Sequence, residues 1–564
     1  MIKKSGFILW MCVFGLFLSA FSMNATAPIT GTPPPLTGDW VINDDTVVTD
    51  ENVVCEGSII INSGGNLTLD GSTVKLNCAT DGQYGIDVKS GGEMHIKGGS
   101  TIDKHSVGNY YFIVNDGASL EMKDSTLKYC GYENENNIRH TGLYIDGDGL
   151  IEHCTIDVCC QGVIAENCTI TIKDSTITRS LWHNIVGRNV DMTLDNNTIS
   201  WAEKMGVWVG INSDLTIKDC HVHNSTRSGI WVDQDSEVEC YKTKIAWNGN
   251  ESRTHWDTSG HGFAGFDSDV YFHNNTVSNN WGHNFETTRC SAMFNDNHFD
   301  QSIKKCNVEF FDHSVVTAKR NYIDGAGHNC FWVRDGVTAT IEECTMKNSP
   351  HNGIWAGNQS TMIIKNNIIE NCAESGIYSY NSTLEITNNE IKNCKWWGIH
   401  TEGCTVTQSG NTYTSVTKGQ VHEAYFITLK AVDEDGKPIQ GATITVKDSA
   451  GTQIWTGTTD TNGETQHMIL SAQKTDTGGA STTYTYTVEA KKGDMSSTTE
   501  ITPTKTDSVS LTLKSEEEED NLMMIVAIII VVILVVIVLV AIMAKKKGKK
   551  EVPPKQDTPP DENI

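Results

Sequence analysis

The chain has 564 residues, with 43 basic against 70 acidic side chains and a formal net charge of -27. That balance excludes a nucleic-acid backbone as the main partner, because phosphate binding needs a cationic surface. The length leaves room for several domains.

The first segment, residues 1–27, reads as a secretory signal. Lys3 and Lys4 precede an apolar run from Phe7 to Phe21, and small residues Ala25 and Ala27 follow it. Of the 17 cysteines, Cys12 lies in that run and the rest lie between Cys55 and Cys404. An even number in an exported region is compatible with disulfides, such as Cys372 with Cys394 one coil apart, or with a ladder of buried thiols. Nine N-x-S/T sequons, Asn224 among them, agree with export.

From residue 38 to 424 the chain repeats. Ser228-Gly229-Ile230-Trp231 returns as Asn352-Gly353-Ile354-Trp355, Ser375-Gly376-Ile377-Tyr378 and Trp397-Gly398-Ile399-His400. Apolar anchors recur every 22 or 23 residues at Ile185, Val207 and Ile230, then at Phe331, Ile354, Ile377 and Ile399. Phe263, Phe285 and Val308 fill the middle, with one longer step that places a loop around Gly249 to Gly260. A period of this size marks a solenoid. Between anchors lie short alternating runs such as Leu384-Glu-Ile-Thr followed by Asn388-Asn389, which is strand periodicity with turn punctuation. Asn tolerates a left-handed backbone at such turns, and its amide can bond to the next coil.

These repeats resemble the right-handed parallel β-helix superfamily of pectate-lyase-like proteins. The resemblance implies an all-β fold. It leaves function open, because that fold hosts lyases, hydrolases, epimerases, adhesins and copper-handling proteins.

The register defines a column one residue after each anchor, expected to point outward: Val186, Trp208, Trp231, Ala264, Glu286, Glu309, Trp332, Trp355, Tyr378 and His400. Trp208, Trp231, Trp332, Trp355 and Tyr378 are the expected substrate-binding residues, since flat rings suit sugar faces. Glu286 and Glu309 would be stacked carboxylates, costly without a cation or a shared proton. His261, His283, Asp267, Arg289, Asp312, His313, Arg334 and Asp335 surround them in the same register.

Three expectations follow. In the first, one of Glu286 and Glu309 acts as acid and the other as base or nucleophile on a polysaccharide; the lyase resemblance implies instead that a cation such as Ca2+ acidifies a uronate while Arg289 or His283 takes the proton. In the second, His261, His283 and Glu286 hold zinc or copper. In the third, the charges merely neutralise one another on a solvated face.

Residues 425–515 lose the cysteines and gain Thr and Lys. Gly436-Lys-Pro-Ile-Gln-Gly-Ala442 and Thr459 to Gly463 are similar to the carboxypeptidase regulatory-like module, which implies a small β-sandwich serving as a stalk. An acidic linker, 516–521, leads to an uninterrupted apolar segment, 522–544, long enough to span a bilayer. The basic, Pro-rich tail 545–564 is expected to be cytoplasmic. This architecture resembles archaeal surface proteins. The expected partners are an extracellular glycan or surface protein and the membrane, without nucleic acid. The expected function is glycan or partner binding along the aromatic face. The alternatives are a polysaccharide lyase or hydrolase, a metal-handling protein, and a structural surface-layer or adhesion protein.

Overall fold

A computed structural model describes residues 28–250 and 260–546. The signal segment, most of the basic tail and the loop residues His255, Trp256 and Asp257 lie outside the described residues. The chain divides into two compact units, one of 1–422 with 475–480 and one of 423–474 with 481–564.

The first unit is a parallel β-solenoid. Each coil gives one strand to each of three sheets, as in Val207–Gly210, Asp214–Lys218 and His221–His223. We call these the site sheet, the long sheet and the short sheet; the short sheet has 16 strands in sequence order. Alternation explains the coil. In Thr361–Lys365, Met362 and Ile364 point inward and are buried, while Thr361 and Lys365 face outward.

The predicted register holds on the site sheet. Ile230 pairs with Phe263 across the longer step, Phe285 with Val308, and Glu286 with Glu309. In the central coils the aliphatic core gives way to phenylalanine. Phe263, Phe272, Phe285, Phe294, Phe299 and Phe310 are all fully buried, with neighbouring ring centroids such as Phe285–Phe294 at 4.5 Å. This aromatic floor lies beneath the stretch of column that holds Glu286 and Glu309.

The Asn pairs divide their work between turn and core. The first of each pair takes the left-handed backbone, with φ of 52° at Asn196, 57° at Asn366 and 55° at Asn388. The second points inward and is buried: Asn367 Nδ2 donates to Asn389 Oδ1 at 3.0 Å and to the Ile341 carbonyl at 2.9 Å. Sixteen cysteines are free thiols, all buried except the half-buried Cys168. Several occupy the same inward turn position. Cys220 Sγ accepts the Asn197 backbone N–H at 3.3 Å, in the role an Asn plays elsewhere.

The second unit is built mainly of antiparallel strands. Gln453–Thr458, Thr443–Lys447, Tyr486–Lys492, Met495–Ile501 and Lys514–Ser515 form one five-stranded sheet. Its core includes Leu429, Ala442, Ile444, Val446, Val488 and Leu511. The Thr459–Gly463 turn closes as expected, with Asp460 Oδ1 accepting the backbone N–H of Asn462 at 2.8 Å and of Glu464 at 3.0 Å. Among the described residues the one α-helix runs Glu516–Lys546, and its apolar stretch Met523–Lys545 is long enough to cross a membrane.

Candidate functional site

The strands Phe263–Phe266, Phe285–Thr288, Val308–Phe311 and Phe331–Arg334 carry the central part of the column. Parallel pairing sets Ala264, Glu286, Glu309 and Trp332 side by side on successive coils. His261 and His283 sit two residues before their anchors, at the entrance of the same strands, and their rings stack at 5.4 Å with a 5° angle between planes.

The solvated face of the third expectation does not form at the two carboxylates, although Asp267, Arg289 and Asp312 do neutralise one another on the surface. Glu286 and Glu309 are 8% and 3% exposed, and His261 and His283 are 0% and 1% exposed. Their ring and carboxylate atoms therefore meet in a low-dielectric space. His261 Nδ1 accepts the backbone N–H of His283 at 3.2 Å and lies 3.3 Å from Glu286 Oε2. His283 Nε2 lies 2.7 Å from Glu309 Oε2, an ion-pair contact. Arg334 Nε donates to the other oxygen of Glu309 at 2.9 Å. His261 Nε2 and His283 Nδ1 are buried without a hydrogen-bond partner. One ligand atom from each of His261, His283 and Glu286 fits within a mutual 4.8 Å.

The two carboxylates are driven apart in acidity. Burial pushes Glu286 up to about 7, with Glu309 adding to the rise against the pull of His283. Burial also acts to raise Glu309, but the neighbouring His283 and then Arg334 outweigh it and bring the carboxyl down to about 2. Burial holds His261 well below the ordinary histidine range, so its imidazole is neutral at pH 7. One neutral-leaning acid beside one fixed carboxylate is a division of roles that proton-transfer sites use. Two imidazoles beside a carboxylate are also a metal-ligand set.

Arg289 does not join this group. Asp267 accepts from its Nε at 2.6 Å and its NH2 at 2.8 Å, and Asp312 accepts from its NH1 at 2.7 Å. Those hydrogen bonds raise its pKa further, the reverse of what a base requires. His313 caps the outside of the same cluster through Asp312 at 2.8 Å. Asp335 pairs with Arg334 at 3.1 Å.

The aromatic column is also more covered than the alternation implies. Trp231 is 9% exposed, stacked at 4.4 Å against Phe266. Asp233 accepts both the Trp231 and Trp208 indole N–H groups, at 3.0 and 3.3 Å. Trp208, Trp332, Trp355 and Tyr378 are half-buried. Trp332 and Trp355 meet edge to face at 85°, so they do not form one flat platform. Tyr378 donates its hydroxyl hydrogen to Glu402 at 3.0 Å.

Column spacing alone did not bring out the neighbouring edge row. Cys306 Sγ is 3.8 Å from His328 Nδ1, the rings of His328 and His351 lie 4.0 Å apart, and His351 reaches Glu374 at 3.1 Å. The positions two and three before each anchor carried that signal. A further donor group, Glu152, His153 and Asp174, lies toward the surface, where Lys173 pairs with Glu152 at 2.7 Å.

A family model for the right-handed β-helix region matches residues 183–338 and 287–462. Among solved structures, pectate lyase Pel9A is similar at 12% identity and a TM-score of 0.28, over 46% of this chain and 70% of that one. The A-module of Azotobacter vinelandii mannuronan C-5 epimerase AlgE4 is similar at 14% identity and a TM-score of 0.23, over 64% and 90%. The catalytic unit of a GH87 α-1,3-glucanase from Streptomyces thermodiastaticus is similar at 10% identity and a TM-score of 0.22, over 68% and 62%. Overlaps this loose carry no argument about chemistry. No curated protein matches the sequence. The strand register and the family model agree on one conclusion: the central coils are right-handed parallel β-helix repeats.

Proposed function

We propose that this chain is a membrane-anchored surface protein whose β-helix binds a transition-metal ion through His261, His283 and Glu286. The observation that carries this reading is the pair of buried imidazole nitrogens, His261 Nε2 and His283 Nδ1, without hydrogen-bond partners, one on each of two stacked rings beside Glu286. An unsatisfied buried polar atom costs about 1–3 kcal/mol, and a bound cation would satisfy at most one on each ring. Two nitrogens and a carboxylate oxygen suit zinc, copper or iron. Calcium prefers all-oxygen shells, so this donor set argues against the Ca2+ expected from the acidic residues alone. Glu309, kept ionised beside Arg334, supplies a second negative charge next to the site.

The test is equilibrium dialysis of the full chain in detergent after chelator treatment, against Zn2+, Cu2+ and Ca2+ separately. One equivalent of zinc or copper, lost in Glu286→Gln, is the expected result. No binding, or binding of calcium alone, would sink the reading.

A second reading, glycan recognition along the same column, is favoured by the ring area that Trp332, Trp355 and Tyr378 leave exposed. In that case Trp355→Ala lowers oligosaccharide affinity without changing metal content. In either reading the antiparallel unit serves as a carboxypeptidase regulatory-like stalk. The helix Glu516–Lys546 then anchors it, with the solenoid outside and the basic tail in the cytoplasm.

A further inference from the structure

A second column runs along the solenoid, at the residue that follows each short-sheet strand. Its members adopt the left-handed backbone, with φ of 53° at Tyr129, 55° at Val158, 56° at Arg179, 58° at Trp201 and 58° at Asn224. In the C-terminal coils the same position holds Asn348, Asn371 and Asn393, at 56°, 60° and 53°. Asparagine is among the non-glycine residues that best tolerate this conformation. There the amides also chain together: Asn371 donates to Asn348 at 3.0 Å and Asn393 to Asn371 at 3.1 Å.

The earlier coils depart from that economical choice. A β-branched side chain, a guanidinium and two aromatic rings occupy positions where their backbone is strained. Packing does not explain Trp201, which is 57% exposed. The same strain occurs at Trp247 in the next coil, with φ of 58°; what sets the earlier coils apart is the cavity that their side chains line. Tyr129, Val158, Arg179, Trp201 and Asn224, five consecutive members of the column, all line one cavity of about 870 Å3. Four steps of about 4.8 Å make it roughly 19 Å long.

The chemistry of the walls narrows the occupant. Lys104 and Arg179 are the cations, set against Asp81, Glu133 and Glu203. Neither cation is idle: Lys104 lies 4.4 Å over the Tyr129 ring and donates to Asn109 Oδ1 at 2.9 Å. Arg179 donates from Nε to Asp157 at 2.7 Å. A polyanion would find no cation to spare. Aromatic faces beside amides and carboxylates suit a neutral sugar chain, whose C–H faces stack on rings and whose hydroxyls donate to the polar groups.

We propose that this groove binds a neutral oligosaccharide, with Trp201 and Tyr129 as the stacking surfaces. The site is separate from the metal-ligand group and does not depend on it.

The test is calorimetric titration of the full chain in detergent, produced without N-glycosylation. The probes are cellohexaose, chitohexaose and laminarihexaose, with hexagalacturonate as the anionic comparator. At least one neutral sugar should bind and hexagalacturonate should not. Trp201→Asn and Tyr129→Asn should each weaken binding at least tenfold. Both variants install the residue used by later coils, so the unfolding midpoint should hold or rise, and metal content should stay unchanged. Absence of saccharide binding, preference for hexagalacturonate, or full affinity in both variants would overturn the proposal. Asn224 begins a sequon, so the glycosylated chain gives one more outcome. A glycan on Asn224 that closes the groove to added sugar would also overturn the proposal, by making the occupant the protein's own.

Discussion

Two stacks of buried polar side chains run through the same solenoid and differ in one respect. In the asparagine ladder of the inward turn, amides bond both to the backbone and to the next amide. Asn297 Nδ2 donates to the Phe272 carbonyl and to Asn321 Oδ1, each at 3.0 Å, and its oxygen accepts from Asn275 N at 2.9 Å. In the histidine–glutamate stretch of the site sheet, His261 Nε2 and His283 Nδ1 remain without hydrogen-bond partners. A repeat can satisfy buried polar groups when folding is all that is asked of them. The site stretch leaves donor atoms available, which is the condition for binding something else.

The ladder should therefore be where stability is lost. Asn297→Leu orphans the Phe272 carbonyl and the Asn275 N–H in a buried space. We expect a loss of about 3–5 kcal/mol in chemical denaturation of the full chain. A loss under about 1 kcal/mol would erase the distinction between the two stacks.

The site stretch should show the opposite profile. His283→Gln and Glu286→Gln are each expected to lower zinc or copper affinity about 100-fold, roughly 2.7 kcal/mol. Glu286→Gln should change the stability of the metal-free protein by less than about 1 kcal/mol, because it replaces a neutral-leaning acid with a neutral amide of the same shape. A variant that unfolds while still binding metal would reverse the assignment.

His183 sharpens the comparison, because it occupies the edge row of the site sheet without a carboxylate nearby. Its Nδ1 accepts the Met205 N–H at 3.3 Å. Burial, then Lys204, Arg227 and Arg188, bring its pKa down to about 3. The unfolded chain takes up this proton near pH 6.5 and the folded chain does not. Stability should thus fall as pH drops from 6.5 towards 3, with this residue contributing about 3 kcal/mol by pH 4. His183→Gln should remove that part of the slope, measured as unfolding free energy at pH 7 and pH 4. An unchanged slope would show that this imidazole is already charged in the fold.

Much of this was legible because a solenoid converts spacing into contact. The anchors at 22 and 23 residues located Glu286 beside Glu309 and His261 near His283 without any coordinates. What spacing does not carry is depth. Alternation says that Trp231 points away from the core, but not that Phe266 covers it or that Asp233 binds its indole. It lists Arg289 near the carboxylates, but not that Asp267 and Asp312 claim all of its charge. The strained turn column was visible only as scattered Trp, Tyr and Arg residues, because a positive φ is a property of the backbone and leaves no mark when the residue is not glycine or asparagine.

The smallest expected effect isolates burial itself. The turn column of the C-terminal coils is a second asparagine ladder, with Asn348 donating to Asp324 at 2.6 Å and accepting from Asn371 at 3.0 Å, but these bonds are exposed. Water replaces an exposed hydrogen bond at little cost, and glycine adopts the 56° φ of Asn348 without strain. Asn348→Gly gives up two exposed bonds and some backbone entropy, and gains relief from the left-handed conformation. The net change should stay within about 0.5 kcal/mol, against several for Asn297→Leu. Both variants remove an asparagine from a ladder in the same solenoid. If their unfolding midpoints shifted alike, the amide stack itself would be the stabilising element, whether wet or dry. If only Asn297→Leu matters, the cost comes from stranding polar atoms away from water, and the imidazole nitrogens of the site sheet that lack hydrogen-bond partners bear that cost until a ligand arrives.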